Sequence, residues 1–220
     1  MDIRTTRGAV GHVVAGLDAF NGRHPWSHND RFHGWILRHL PTHRGSALDV
    51  GCGRGGLLAE LAPRFLHVDR VDVHAQMARL AAARFGNDRH VAVHCTPFDH
   101  VSGRHDLITM VAVLHHLDLE AALRHARDLL VPSGKLLVVG LARPATAHDL
   151  MWDLASAALN PAVGLLKHPR ATRPRAEAPY PVADPTTTFD EITATGAHVL
   201  PGARLQRRLF FRYTLTWTKP

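Results

Sequence analysis

A glycine-rich turn after an apolar segment is the part of this sequence best suited to support chemistry. Residues 47–62 contain a short apolar run that ends in Asp49 and Val50, then Gly-Cys-Gly-Arg-Gly-Gly, then a helical pattern. Gly51 and Gly53 let the backbone turn tightly and approach a ligand that a Cβ atom would keep away. The Asp49 carboxylate at the end of the strand suits a cationic or amine-bearing ligand and would repel a pyrophosphate.

A second carboxylate lies at a spacing typical of ribose recognition. Asp72 follows Gly53 by 19 residues (72 − 53) and ends the next predicted strand, which spans residues 66–73. A carboxylate in that place accepts hydrogen bonds from the hydroxyl groups of a ribose. The turn and this acid together predict a cofactor that contains adenosine.

Two other nucleotide-binding motifs fit the turn less well. Gly51, Gly53 and Gly56 match the Gly-x-Gly-x-x-Gly pattern of NAD-binding domains, although Asp49 directly before the turn favours a different ligand. No Gly-Lys-Ser/Thr follows the turn, which excludes a P-loop.

Four motifs occur in the order and at the spacing of one enzyme family. They are residues 49–55, Asp72, residues 106–118 with their Leu-His-His-Leu, and residues 129–139. Together they resemble the class I S-adenosylmethionine-dependent methyltransferases over about residues 28–141. The resemblance implies S-adenosyl-L-methionine as the cofactor and an α/β fold. This fold is a Rossmann-like, doubly wound sheet of seven strands in the order 3-2-1-4-5-7-6, with the last strand antiparallel.

The alternation of strand and helix patterns predicts parallel crossover units in a single domain of residues 1–220. Four parts are expected in chain order: an N-terminal helical lid (1–45, with helices at 9–20 and 29–40), a cofactor-binding core (46–141), an insertion on the acceptor side (142–185), and a C-terminal helix with a β pair (186–220). In the last part, the pattern predicts a helix at 187–195 ended by Gly196, then β segments at 198–200 and 206–218.

The resemblance assigns the cofactor site to the carboxyl ends of the strands, with Asp72 and Val73 at the ribose. The candidate cofactor contacts are Asp49, Gly51, Cys52, Gly53, Asp72, Val73, Thr96, Pro97, Phe98 and Val111. Thr96 stands where much of the family keeps an acid for the adenine amine, unless Asp99 takes that role. Phe98 packs either on the adenine ring or in the core.

Two histidines follow the fourth predicted strand, where a methyl acceptor normally approaches in this family. His115 and His116 are adjacent and cannot both face the cleft, and His115 is preferred because it comes first after the strand end. A histidine suits general-base catalysis near neutral pH, whereas an acceptor that is already nucleophilic needs only alignment. The candidate contacts with the acceptor are Trp26 and His28 of the lid and Trp152 and Tyr180 of the insertion.

The resemblance implies an enzyme that transfers methyl groups to a small-molecule acceptor, with secondary metabolism as one setting. The alternatives are an RNA methyltransferase and a non-catalytic cofactor-binding protein. No Asp/Asn-Pro-Pro-aromatic motif follows the fourth strand, which argues against methylation of nucleic-acid base amines. The net charge of +7 comes mainly from scattered arginines, so no nucleic-acid partner is expected.

Composition sets the remaining expectations. A chain of 220 residues with 45% hydrophobic content supports one core. It contains no apolar run of membrane-spanning length and begins without the apolar stretch of a signal peptide. Cys52 and Cys95 have neither metal-site nor disulfide spacing. We therefore expect a cytoplasmic monomer or homodimer with no bound metal and no membrane partner.

Overall fold

The structure, a computed structural model, describes most of the chain from residue 29 onward. The described residues are 29–51, 55–85, 88–147, 149, 151–152, 155–156, 159, 165 and 183–220. The predicted helix at 9–20 and the basic, proline-rich segment around Arg170, Arg173 and Arg175 lie outside them. Within the described residues, no helix is both long enough and apolar enough to cross a bilayer.

Seven strands form one sheet in the order predicted. The strands are β1 (Ser46–Val50), β2 (His67–Val71), β3 (Val91–His94), β4 (His105–Val111), β5 (Leu130–Gly140), β6 (Arg204–Arg208) and β7 (Arg212–Thr218). Their order is β3-β2-β1-β4-β5-β7-β6. Neighbouring strands from β3 to β5 pair in parallel, and β7 runs antiparallel to both β5 and β6. The predicted doubly wound fold is therefore confirmed, including the antiparallel last strand.

Helices cover both faces of this sheet. They are α1 (His33–Arg38), α2 (Gly56–Leu61), α3 (Ala75–Phe85), α4 (Leu119–Leu129) and α5 (Phe189–Val199). A 3-10 turn, Asp30–Phe32, precedes α1, so the predicted N-terminal helix at 29–40 forms with an irregular start. The described positions between 147 and 159, at the start of the insertion, are helical.

Side chains along each strand alternate between two hydrophobic clusters. In β1, Leu48 and Val50 pack on the face covered by α4 and α5, whereas Ala47 packs on the face covered by α1 and α2. By the same alternation, the side chain of Asp49 lies on the Ala47 face. β1 therefore places the carboxylate of Asp49 on the face of the sheet beneath α1.

The C-terminal helix is longer than predicted. Residues 198–200 belong to the end of α5 and the turn after it, so the prediction of a strand there is wrong, and the sixth strand is Arg204–Arg208. Gly196 is a buried residue inside the helix and does not end it. A Cβ atom at Gly196 would lie 3.4 Å from the Leu205 side chain, so the glycine allows the helix to lie close to β6.

The last parallel strand ends against a buried tyrosine. Gly140 is the cross-strand neighbour of Tyr213, and a Cβ atom at Gly140 would lie 2.2 Å from Cζ of that ring. Tyr213 is 2% exposed, so its ring has no open space into which it could move. The absence of a side chain at residue 140 is therefore a packing requirement of the β5–β7 pair.

We expect Gly140→Ala to lower the free energy of unfolding by about 1–3 kcal/mol, because the added methyl group displaces a buried ring. Chemical denaturation followed by circular dichroism measures this change. Gly34→Ala is the matched control, since its Cβ atom would meet only the Arg38 side chain at 3.5 Å in a helix. This control should be neutral or stabilising. Equal stability of wild type and Gly140→Ala would contradict the packing argument.

Candidate functional site

The candidate site lies at the carboxyl ends of the central parallel strands. β1 and β4 are neighbours in the sheet, and the connections from these two strands leave in opposite directions along it. A crevice forms at such a switch point because the two connections separate there, and open α/β sheets bind ligands in it. Asp49, Asp72 and Val111 lie at or just beyond the ends of β1, β2 and β4.

Asp49 is buried among polar groups from both neighbouring strands. Its direct partners in the strand register are Arg70 of β2 and Thr109 of β4. The hydroxyl of Thr109 donates a hydrogen bond of 2.7 Å to Oδ1 of Asp49. Burial raises the pKa of Asp49, and the charge of Arg70 and the Thr109 hydrogen bond oppose that rise. The carboxylate is thus kept in the sheet by a cation and a hydroxyl that the register brings beside it.

Arg70 is a functional neighbour that the sequence analysis missed. Its side chain is fully buried in β2, and a Cβ atom at Gly55 would lie 2.5 Å from Nη1. Gly55 has a left-handed backbone with φ of +79°, a conformation that favours glycine. The glycine-rich turn therefore has a second role, since Gly55 leaves room for the cation that faces Asp49. The sequence has two charged residues, Asp69 and Arg70, between Val68 and Val71, and the structure shows that Arg70 is the fully buried one.

Gly51 begins the turn in a conformation that a side chain would strain. Its φ is +67°, and its N–H group donates a 2.9 Å hydrogen bond to the carbonyl of Val71. A Cβ atom there would lie 2.3 Å from Val113, which packs over the turn from the segment after β4. The turn is therefore closed on one side by Val113. Cys52 and Gly53, the other predicted contacts in the turn, lie outside the described residues.

Asp72 follows β2 as a nearly buried carboxylate with a fixed orientation. It is 7% exposed, and its Oδ1 accepts a 2.9 Å hydrogen bond from the N–H group of His74. Its own N–H group donates to the carbonyl of His94, which ties it to the end of β3. Val73, the next residue, is 56% exposed. An oriented acid beside an open apolar side chain suits a ribose and the base attached to it.

The loop after β3 divides its side chains between surface and core. Thr96 is half-buried and Pro97 exposed, whereas Phe98 is 5% exposed and belongs to the core cluster. The ring of Phe98 meets His125 of α4 edge-on with centroids 4.9 Å apart. Phe98 was expected either on the adenine ring or in the core, and in the structure it packs in the core. Val111 is half-buried at the end of β4, and Ala112 after it has φ of +54°.

The two histidines after β4 occupy different environments. His115 is half-buried and His116 exposed, with ring centroids 4.0 Å apart in the 3-10 turn Leu114–His116. Nδ1 of His115 is buried without a hydrogen-bond partner among the described residues. Burial lowers the pKa of His115 to about 4, and the charges of His116 and Arg212 act in the same direction. His115 is therefore a neutral imidazole at physiological pH.

Arg212 at the start of β7 is a second cation that the sequence analysis missed. Its guanidinium donates to Oδ1 of Asn29 at 3.0 and 3.2 Å and to the carbonyls of Phe210 and Phe211. Burial lowers its pKa to about 10, so it stays charged near neutral pH. The charge of Arg212 lowers the pKa of His115. This interaction couples the end of β4 to the β6–β7 hairpin.

A cavity of about 750 Å³ opens beside this hairpin. Because β6 runs parallel to the central strands, its last residues lie at the same edge of the sheet as Asp49 and Asp72. The cavity is bounded by the N-terminal segment, the insertion and the hairpin. Its apolar lining residues are Phe32, Trp35, Met151, Trp152, Ala155, Leu209 and Phe210. Trp152 thus lines this space, while Trp26, His28 and Tyr180 lie outside the described residues.

Comparison with known proteins identifies relatives over nearly the whole chain. A family model described as "Methyltransferase domain" matches residues 48–136. A protein of Mycobacterium tuberculosis (strain ATCC 25618 / H37Rv), named as an uncharacterised methyltransferase, is 31% identical over 203 residues. That match covers 89% of this chain and 98% of the relative.

Solved structures match the fold at lower sequence identity. The N-methyltransferase NodS from Bradyrhizobium japonicum WM9, in complex with S-adenosyl-L-homocysteine, has a TM-score of 0.58 at 16% identity and covers 93% of this chain and 98% of its own. A SAM-dependent methyltransferase from Aquifex aeolicus has a TM-score of 0.58 at 14% identity, with coverage of 94% and 98%. These likenesses show the fold.

The mycobacterial relative shows the family, because the match at 31% identity spans nearly all of that protein. The sheet has the strand order that the resemblance implied. The chain therefore belongs to the class I S-adenosylmethionine-dependent methyltransferases and uses S-adenosyl-L-methionine as its methyl donor.

Proposed function

We propose that this enzyme methylates a small-molecule acceptor that enters through the cavity beside the β6–β7 hairpin. The observation that carries the proposal is the position of this cavity at the carboxyl edge of the sheet, where the two acids of the cofactor site also lie. A volume of about 750 Å³ falls within the usual range for small-molecule sites. Secondary metabolism as the setting stays a prediction.

Two fold neighbours support methyl transfer as the general reaction by analogy. NodS is titled an N-methyltransferase, and CurJ is titled a carbon methyltransferase and matches with a TM-score of 0.56 at 18% identity. Their titles name different acceptor atoms, so the analogy supports the general reaction and leaves the methylated atom of this enzyme open. The cytoplasmic location and the monomer or homodimer state also stay predictions.

The residues at the strand ends fit S-adenosylmethionine by charge and shape. The cofactor supplies a methyl group already activated by a sulfonium, so the main task of the protein is alignment and exclusion of water. We assign Asp72 and Val73 to the ribose, and Asp49 and Gly51 to the cationic amino-acid end. Thr96 and Pro97 are assigned to the adenine edge. Two acids near a cationic cofactor make this assignment favourable in charge.

His115 is proposed to bind the acceptor rather than to act as a base. An effective general base has a pKa near the working pH, and the pKa of His115 is lowered to about 4. Its buried Nδ1, which has no hydrogen-bond partner among the described residues, is instead available to hydrogen-bond an acceptor group. This role favours an acceptor that is already nucleophilic, for which alignment is sufficient.

Transfer of labelled methyl groups tests the acceptor class. Wild-type enzyme and methyl-labelled S-adenosylmethionine are incubated with an extract of the source organism, which is then separated into low-molecular-weight and RNA fractions. We expect label in the low-molecular-weight fraction. Label in RNA would contradict the proposal in favour of an RNA methyltransferase. Cofactor binding without transfer to any fraction would favour a non-catalytic binding protein.

We expect Asp72→Asn to weaken S-adenosylhomocysteine binding by roughly 10- to 100-fold in Kd, since it removes charge-assisted hydrogen bonds to the ribose. The asparagine keeps an oxygen that can accept from His74, so the fold should be retained. Isothermal titration calorimetry measures the change. Asp128→Asn, which changes an exposed acid in the last turn of α4, is the control with the same loss of charge and should bind normally. An unchanged Kd in Asp72→Asn would remove this residue from the site.

The stability of the fold is predicted to depend on the protonation of His115, and this protonation is predicted to depend on Arg212. In the folded protein, His115 should stay neutral as the pH falls to about 4, because burial and the nearby charges lower its pKa. The unfolded chain binds this proton at a higher pH, near the ordinary pKa of about 6.5. The contribution of His115 to stability is therefore complete above that value and is lost as the pH falls from about 6.5 toward 4.

Titration of the imidazole signals by NMR, with His115→Ala to assign the resonance, tests this environment. Arg212→Gln should raise the pKa of His115, because it removes a neighbouring positive charge. Arg204→Gln, which lies exposed at the opposite end of β6, should leave it unchanged. A His115 pKa near 6.5 in the wild type would contradict the buried environment and restore the histidine as a candidate base.

A further inference from the structure

The described lining of the cavity carries charge of one sign. Its charged residues are Arg31, Arg38, Arg207 and Arg208, and the described lining residues include no aspartate or glutamate. A cleft with one sign of charge and apolar walls focuses the electrostatic field and concentrates ligands of opposite charge. The charge of this cavity therefore points to an anionic ligand.

Arg207 differs from the other arginines because its charge is already neutralised. It forms an ion pair with the buried Asp149 and lies 3.7 Å from Asp190. Its guanidinium lies 4.1 Å over the ring of Phe189. Asp149 also accepts hydrogen bonds from the N–H groups of Ala145 and Thr146, so this pair holds the insertion against the hairpin. Arg207 is therefore a structural residue.

Arg31 and Arg208 have no carboxylate partner among the described residues. Arg31 lies over the ring of Phe210 at 4.9 Å. Arg208 donates to the neutral oxygens of Thr214, at 3.0 Å, and Gln206. A guanidinium that stacks on a ring keeps its in-plane N–H donors for bidentate contact with a carboxylate or phosphate. These two arginines can thus bind an anion without breaking an ion pair to any described residue.

The walls around these arginines are apolar and include an exposed methionine. Trp35 and Phe210 are buried beneath the cavity, whereas Met151 of the insertion is 66% exposed at its edge. Ligand sites commonly combine apolar and aromatic walls with a few placed polar groups. The lining therefore suits a ligand with an apolar body as well as a charge.

We propose that the methyl acceptor is a small amphipathic anion. Its apolar or aromatic body packs against Trp35, Met151 and Phe210, and Arg31 and Arg208 hold its carboxylate, sulfonate or phosphate. This inference rests on the proposed function, because it treats the cavity as the acceptor site. The nearby charge of Arg212, which is hydrogen-bonded only to neutral oxygens among the described residues, adds to the attraction for an anion at this edge of the sheet.

Two fluorescent probes with the same ring system separate charge from apolar binding. 8-Anilinonaphthalene-1-sulfonate carries a sulfonate, and N-phenyl-1-naphthylamine lacks it. We expect Arg31→Gln/Arg208→Gln to raise the Kd of the sulfonate by at least about 10-fold and that of the neutral probe by less than about 2-fold. The control double variant Arg79→Gln/Arg204→Gln removes the same amount of charge from exposed positions and should change the Kd of neither probe. An unchanged Kd for the sulfonate in the cavity variant would overturn the proposal.

A second variant and a competitor complete the test. If the double glutamine variant loses binding of both probes, the double variant Arg31→Lys/Arg208→Lys tests whether the positive charge is what binds the sulfonate. Retained binding of the sulfonate probe by the lysine variant supports the proposal, and loss of that binding contradicts it. Saturating S-adenosylhomocysteine should leave sulfonate binding intact, and displacement would assign the probe to the cofactor cleft and overturn the inference. Displacement by an RNA oligonucleotide would also overturn it. The Asp72→Asn result is independent of this outcome, so the two proposals can fail separately.

Discussion

The buried carboxylate of Asp49 is the constraint on which the rest of the site depends. A charge in a sheet interior is costly unless hydrogen bonds and an opposite charge accompany it. Here the parallel register brings Arg70 from one side and Thr109 from the other, each directly opposite Asp49. A slip of one residue would replace Thr109 with Ile108 or Met110, and would replace Arg70 with Val71 or with a second carboxylate, Asp69. The order and register of β2, β1 and β4 therefore hold the acid near the carboxyl end of β1.

The glycine-rich turn serves this buried charge as well as the ligand. Gly51 turns the chain beneath Val113, and Gly55 leaves space for the guanidinium of Arg70. Both glycines have a positive φ that other residues adopt at a cost. One short segment thus turns tightly under Val113 and leaves space for the cation that stabilises Asp49. We infer that substitution at Gly55 would disturb the site through Arg70 before it affected any ligand.

The family resemblance implied the strand order of the sheet, and local signals indicated where its central strands end. Asp118, at the end of the 106–118 motif, caps α4, because its side chain accepts a hydrogen bond from the N–H group of Ala121. Gly51 and Asp72 lie where the motif spacing placed them. Gly196 was misread because a glycine in a helix that packs closely on a strand has the same local pattern as a helix end. The reason for this glycine is Leu205, nine residues away in another element.

Arg70 and Arg212 were missed for a related reason. Each acquires its role from residues distant in the chain, Asp49 for the first and Asn29 and His115 for the second. No short sequence motif indicates such pairs, because only the strand order of the sheet brings these distant residues together. The same limit applies to the cavity, whose walls come from the N-terminal segment, the insertion and the hairpin.

The carboxyl edge of the sheet has acids at β1 and β2 and arginines around β6 and β7, so its two sides differ in charge. This polarity agrees with a cationic cofactor at one end and an anionic acceptor at the other. A crystal structure with bound S-adenosylhomocysteine tests the central claim most directly. The account predicts ribose hydroxyls within hydrogen-bond distance of Asp72, the amino-acid end beside Asp49 and Gly51, and the sulfur toward His115. A cofactor bound away from Asp72, or with its amino-acid end remote from Asp49, would contradict it.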